Sequence, residues 1–193
     1  MLEELIRKNR SKRRFHQDIP VKSKTLHALV NLARLSASGS NLQPLKYVLS
    51  CDPEMNEKIF SHTQWAGYLE DWPGPQEGER PGAYIIILGD TNITETFGCD
   101  HGIAAQSIML GAVELGLGGC IIASIDRDGL RQVLQLPGRY KILLLLALGK
   151  PKEKVILEEA KPEGDIRYYR DDDGVHHVPK RPINELILGE YGV

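Results

Sequence analysis

A chain of 193 residues with 41% hydrophobic residues is long enough to bury one substantial core. Its formal net charge of -2 gives no basis for nucleic-acid or membrane-surface binding. Three scattered cysteines, Cys51, Cys99 and Cys120, define neither a disulfide framework nor a zinc site. No apolar run follows Met1-Leu2-Glu3-Glu4, and the longest one, 142–148, is too short to cross a bilayer, so no signal peptide and a cytoplasmic protein are expected.

The first predicted element is a short helix over 2–8, with Leu2, Leu5 and Ile6 on one face. A basic segment follows, and Pro20 breaks the chain. A helix over 23–35 is predicted next, with Ser23 as its N-cap and Leu26, Leu29, Val30 and Ala33 as its buried stripe. Residues 36–41 are small and polar and predict a turn. A strand at 47–50 and a short helix at 53–61, with Pro53 in its first turn, come after it.

Residues 65–81, rich in Pro, Gly and Glu, read as a loop. The run at 83–88 predicts a buried strand, and 97–115 the longest helix. In that helix Ile103, Ala104, Ser107, Ile108, Gly111 and Ala112 recur at helical spacing, and the small ones admit close approach by another helix. Glycines 116, 118 and 119 close it. A strand at 120–123, a helix at 126–134 and a buried strand at 141–148 complete the pattern. Beyond Gly149 the chain turns charged and polar, with Pro151 and Pro162. Such a tail is poor at forming its own core and is expected to lie on the domain or wrap a partner subunit. Interleaved strands and helices predict an α+β or α/β fold, with helices covering a buried sheet.

Few constellations carry chemistry. Arg10, Ser11, Lys12, Arg13 and Arg14 put four cations and a hydroxyl on irregular backbone, which suits a phosphate monoester and equally describes a solvated basic turn. The 36–43 segment combines small residues with Asn41 and Gln43, so a flat ligand could approach its backbone while the amides bond a ring edge. A plain helix-terminating turn is the other reading. The glycines at 116–119 stand between helix and strand, the wrong order for a dinucleotide fingerprint. Cys99, Asp100 and His101 are consecutive and point apart, so they read as a helix N-terminus with Asp100 favoured by the dipole. His176 and His177 follow an acidic run without calcium-loop spacing and read as a solvated turn. No catalytic side chain and no metal site emerge.

Taken together, NRSKRRF at 9–15, ARLSASGSNLQPLKY at 33–47, ELGLGGCIIAS at 114–124, ILLLLALGKP at 142–151 and the late KRP at 180–182 resemble the nitroreductase family of flavoproteins. The resemblance spans nearly the whole chain. It implies an α+β sandwich with a central, mixed but mainly antiparallel sheet flanked by helices. It also implies one FMN-binding domain over 1–193, with residues from about 150 to 193 forming an arm around a dimer partner, and FMN at the subunit interface. The family's first motif falls on Asn9 to Arg13 and implies that Arg10, Ser11 and Arg13, with Lys12 among the cations, hold the flavin phosphate and ribityl chain. Asn9 departs from the usual arginine, and Arg14 is expected to compensate.

The second motif falls on 37–45 and implies that Ser38, Gly39, Ser40, Asn41 and Gln43 contact the isoalloxazine from the other subunit. Leu45 replaces the common tryptophan. Ala123 and Ser124 match the strand end bordering the ring, and Lys180 or Arg181 the late cation near the phosphate. The small face of the 97–115 helix is expected at the dimer interface. Separately, Trp65, Tyr68 and Trp72 are aromatics in an irregular Gly/Pro-rich stretch, which reads either as a lid over the flavin or as anchors that pack the loop.

The implied activity is a ping-pong transfer of hydride from NADH or NADPH, through the flavin, to a nitro compound, quinone or similar acceptor. Alternative readings are related flavin chemistry, such as reductive dehalogenation or flavin fragmentation, and a non-enzymatic FMN-binding module.

Overall fold

The structure, a computed structural model, describes residues 1–161 and 164–192; Pro162 and Glu163 of the charged tail lie outside the described residues. Contacts divide the chain into two units, Met1–Trp65 with Pro73–Lys152, and Ala66–Trp72 with Glu153–Val193.

The first unit contains α1 (Leu2–Lys8), β1 (Phe15–His16), α2 (Ser23–Leu35), β2 (Leu45–Ser50), α3 (Pro53–Phe60), β3 (Ala83–Asp90), α4 (Asp100–Glu114), β4 (Gly118–Ile122), α5 (Arg127–Val133) and β5 (Tyr140–Pro151). Its five strands form one antiparallel sheet, in the order β1-β5-β3-β2 with β4 also on β5. All eight residues of β3 are buried. Side chains alternate along a strand. Ala83, Ile85 and Ile87 therefore join Leu146 and Leu148 in one cluster with Leu26, Leu29 and Ala33 of α2 and Ala104, Ala105, Ile108, Met109 and Ala112 of α4. Tyr84, Ile86 and Leu88 point the other way and are equally buried, so both faces of the sheet are covered.

Local chemistry sets the element ends. Asp52 caps α3 by accepting from the Met55 amide at 2.8 Å, and Asp126 caps α5 through the Gly129 amide at 3.1 Å. Ser23 is not the cap of α2 but its first residue; Lys22 holds the cap position and makes no side-chain cap bond. α4 begins three residues later than predicted because Gly98 is left-handed (φ +46). Phe97 instead fills the space over Gly89, where a Cβ would meet its ring at 2.4 Å. Gly116 (φ +71) closes α4, with the Leu117 amide reaching back to the Ala112 carbonyl at 2.8 Å.

The small face of α4 is used within the chain. A Cβ on Gly111 would meet Leu32 Cδ1 at 2.2 Å, so it is α2 that exploits the close approach expected at a dimer interface. Ile103, assigned to the same stripe, is 39% exposed. The face predicted for α1 is also incomplete, since that helix has no fully buried residue.

The second unit holds β6 (Val155–Glu159), β7 (Tyr169–Arg170) and β8 (His176–Lys180), with β6 parallel and β7 antiparallel to β8. The tail thus has a sheet that its polarity did not predict. Tilted aromatic contacts, a cation–π contact and ion pairs support it. Tyr168 packs on Tyr68 (4.9 Å between ring centres) and on His176 (5.2 Å), Arg170 lies over Trp72, and buried Glu153 pairs with Arg170 at 3.2 Å. His176 and His177 stand on β8 rather than in a solvated turn, and alternation sends them to opposite faces. No helix among the described residues is long and apolar enough to cross a membrane.

Candidate functional site

The basic segment between α1 and β1 is pinned at both ends. Ser11 bridges Gly119, and the Lys12 amide donates to the Gly119 carbonyl at 2.8 Å. A Cβ on Gly119 would lie 2.3 Å from the Ala147 carbonyl, and one on Gly118 would meet Pro151 and Lys12. The paired glycines that begin β4 are therefore what lets the basic segment lie against the sheet.

At the other end Glu79 takes hold. Its backbone carbonyl accepts from the Phe15 amide at 3.0 Å. Its buried carboxylate accepts two bonds from Arg14, both at 2.6 Å, and pairs with Lys152 at 2.9 Å. The Arg14 hydrogen bonds, and then those of Lys152, outweigh burial and push the Glu79 carboxyl down to about 2. Arg14, expected to replace the missing arginine at position 9, is thereby tied to Glu79. Asn9 is buried and donates to Gln106 of α4 at 3.3 Å.

Arg10 is placed differently. One guanidinium nitrogen donates to the Ile6 carbonyl at 2.9 Å, but Nε is buried and has no partner among the described residues. Burial lowers the pKa of this arginine. Arg13 is buried and reaches the Ser11 carbonyl at 3.4 Å, while the Ser11 side chain is exposed.

The 36–43 segment is a short 3-10 turn, Gly39–Asn41, followed by an irregular stretch. Ser40, Asn41 and Gln43 all have positive φ, at 49°, 54° and 51°, uncommon for residues with a Cβ. Backbone of this kind persists where its surroundings over-determine it. Here the surroundings are α4. Asp100, buried at its first turn, accepts from Ser38 Oγ at 2.6 Å and from the Gly39 amide at 2.9 Å, and Ser38 Oγ in turn accepts from the Gln43 amide at 3.0 Å. Ser36 bonds Ser107 at 2.7 Å. Two cavities flank the turn, one of about 250 Å³ beside Gln43 and Tyr47, the other of about 510 Å³ beside Ser40, Thr96, Phe97 and Cys99. Both are lined by Ser38 and Asp100. Gly39, Ser40, Asn41 and Gln43 stay exposed at the surface of the turn.

α4 thus carries both predicted motifs, Asn9 on Gln106 and Ser38–Gly39 on Asp100. These α4 residues are six apart, roughly 9 Å along the axis. Ala123 and Ser124 are exposed just past β4. Their carbonyls accept from Arg127 at 3.2 Å and from the Gln64 amide at 3.0 Å, which fixes the direction of both peptides.

Lys180 and Arg181 belong to the second unit. The Lys180 carbonyl accepts from the Ala160 amide at 2.7 Å, and Arg181 pairs with Glu185 at 3.2 Å. The aromatics of the 65–81 loop are divided in the same way. Trp65 is an anchor of the first unit, 8% exposed, its indole N–H on Thr63 Oγ1 at 3.0 Å and its ring against Gly74. Tyr68 and Trp72 fall in the second. Sequence reasoning missed Asp100 as an anchor and Glu79 altogether. An aspartate at a helix start was the signal for the first; nothing local marks the second.

The model of the Nitroreductase family matches residues 6–150. The chain belongs to the nitroreductase family. It is 24% identical to a Bacillus subtilis protein named as an NAD(P)H nitroreductase, MhqN, across 95% of this chain and 96% of that one. A nitroreductase family protein of Streptococcus pneumoniae has a similar fold, with a TM-score of 0.71 at 18% identity, covering 98% of this chain and all of the other. An FMN-dependent nitroreductase of Clostridium difficile gives 0.63 at 24% identity, covering 88% and 92%. The expected α+β fold with an antiparallel sheet and flanking helices is borne out.

Proposed function

We propose that this chain is an FMN-dependent oxidoreductase, transferring hydride from NADH or NADPH to a small oxidised acceptor such as a nitro compound or quinone. It works as a homodimer with the flavin at the subunit interface. Family membership and the names of its relatives support the redox class. The observation that carries the cofactor is Arg10, whose buried Nε lacks a partner among the described residues, on a segment pinned to Gly119 and Glu79. Buried polar atoms are ordinarily satisfied. A phosphate oxygen is an acceptor that a guanidinium binds well.

Bound FMN supplies the hydride chemistry itself; the residues of this chain bind, orient and shield. Arg10, Ser11, Lys12 and Arg13 hold the phosphate and ribityl chain. Arg14, committed to Glu79, fixes the segment instead. The exposed turn of Gly39, Ser40, Asn41 and Gln43 contacts the ring held by the partner, and Ala123 and Ser124 border the ring edge. Lys180 or Arg181 closes on the phosphate. Residues 1–193 act as one FMN-binding domain. Its tail exposes Ile183, Leu186, Ile187, Leu188 and Tyr191, which supports an arm that embraces the second subunit.

The test is the visible spectrum of the purified protein, followed by anaerobic NADH and NADPH. Flavin bands that bleach with either nucleotide are expected. A protein that is colourless and cannot be loaded with FMN refutes the reading.

A further inference from the structure

The turn proposed to meet the flavin ring contains three residues in the left-handed region, so something outside it must hold it. Its own side chains do little of this. Gln43 Nε2 bonds Asn41, at 3.2 and 3.3 Å, within the turn itself. The external bonds converge on one carboxylate. Asp100 Oδ2 accepts a hydrogen bond from the Ser38 hydroxyl and Oδ1 accepts one from the Gly39 amide, while the Ser38 oxygen accepts one from the Gln43 amide. One carboxylate therefore spans the turn from residue 38 to residue 43. Hydrogen bonds to an ionised acceptor are about twice as strong as neutral ones. Asp100 itself is 7% exposed and sits on the longest helix, whose packing against α2 fixes it. Its charge is felt nearby: burial first, and then Asp100, raise the Tyr47 hydroxyl to about 12.

We infer that Asp100 is the positioning residue of the flavin site, shaping the 38–43 turn before any ligand arrives. This rests on the FMN reading above. Two consequences follow from the proton inventory. Ser38 donates its one hydroxyl hydrogen bond to Asp100, so it meets a ligand only as an acceptor or through its backbone. The amides of Gly39 and Gln43 are likewise occupied, so Gly39 meets the ring by packing alone and polar recognition falls to Ser40 and the side chains of Asn41 and Gln43.

The experiment measures FMN dissociation constants by flavin fluorescence for the native chain, Asp100→Asn, Ser38→Ala, Ser38→Thr and the double variant. Hydrogen exchange of the FMN-free proteins is followed in parallel. Asp100→Asn keeps the shape but cannot accept both bonds. It is expected to weaken FMN binding about tenfold and to speed exchange at Gly39 and Gln43 before any flavin is added. Ser38→Thr should bind like the native chain. The double variant should fall short of the sum of the two single losses, because both remove the Ser38–Asp100 bond.

Native affinity and unchanged amide exchange in Asp100→Asn overturn the inference, as does full additivity with Ser38→Ala. If Asp100→Asn does not fold, Ser38→Ala and Ser38→Thr decide between them: equal affinities refute, a loss restored by Thr supports. A native chain that binds no FMN removes the cofactor reading and this inference with it. A native chain that binds FMN with a silent Asp100→Asn removes only the inference.

Discussion

Glu79→Gln tests how the basic segment is held. The carboxyl ionises at about 2 in the folded chain against an ordinary value of 4.5, so folding favours its anion by about 3 kcal/mol. Arg14 and Lys152 are 29% and 44% exposed, and solvent screening reduces this to about 2 kcal/mol. For a chain of this size that lowers Tm by about 4–8 °C at pH 7. The folded pKa is depressed, so the contribution is complete above the unfolded value and is lost as pH falls toward the folded one. By pH 4 about a quarter of it is gone, and by pH 3 more than half. Urea unfolding of both proteins between pH 7 and pH 3 should therefore show the native advantage shrinking with acid. The Glu79 backbone bond to Phe15 is untouched, so the variant should still fold. Equal stability at pH 7, or a gap that does not change with pH, would refute a buried carboxylate clamped by Arg14.

Arg10→Ala removes the cation with the unpartnered Nε and should weaken FMN binding roughly tenfold to a hundredfold with little change in unfolding temperature, read by flavin titration and thermal melts. Gly119→Ala places a methyl 2.3 Å from the Ala147 carbonyl, which is backbone and cannot turn aside; a loss of about 1–3 kcal/mol and weaker FMN binding are expected, checked by urea unfolding and the same titration. His177 lies between Glu158 and Asp171, and its hydrogen bonds to Asp171 and then to Glu158 raise its pKa. Its contribution is present below the ordinary imidazole value of 6.5 and lost as pH rises through the folded one, so an NMR titration should place its midpoint above 6.5. A midpoint at or below that value would show that the two carboxylates do not hold it.

Most of the fold was legible because it rests on local periodicity. Eight buried residues in β3 and the spacing of Leu26, Leu29 and Ala33 leave few alternatives to a covered sheet and an amphipathic helix. Asp52 with Pro53, and Asp126, announce helix starts through chemistry within three residues. The tail was misjudged because its sheet is held by pairs far apart in sequence, Tyr68 on Tyr168 and Glu153 on Arg170. The two motifs were visible as residue types, but their bonding was not. Arg14 looked like a ligand until Glu79, 65 residues away, was found holding it.

The sequence by itself determined the helices, the buried strands and the family, since these depend on side-chain pattern along the chain. Tertiary structure alone decided that Arg14 and Lys152 converge on the buried carboxylate of Glu79. It also decided that Asp100 governs the 38–43 turn, and that the small face of α4 receives α2. Those outcomes depend on which distant groups share a buried donor or acceptor, and burial makes such pairing obligatory without writing it into local sequence.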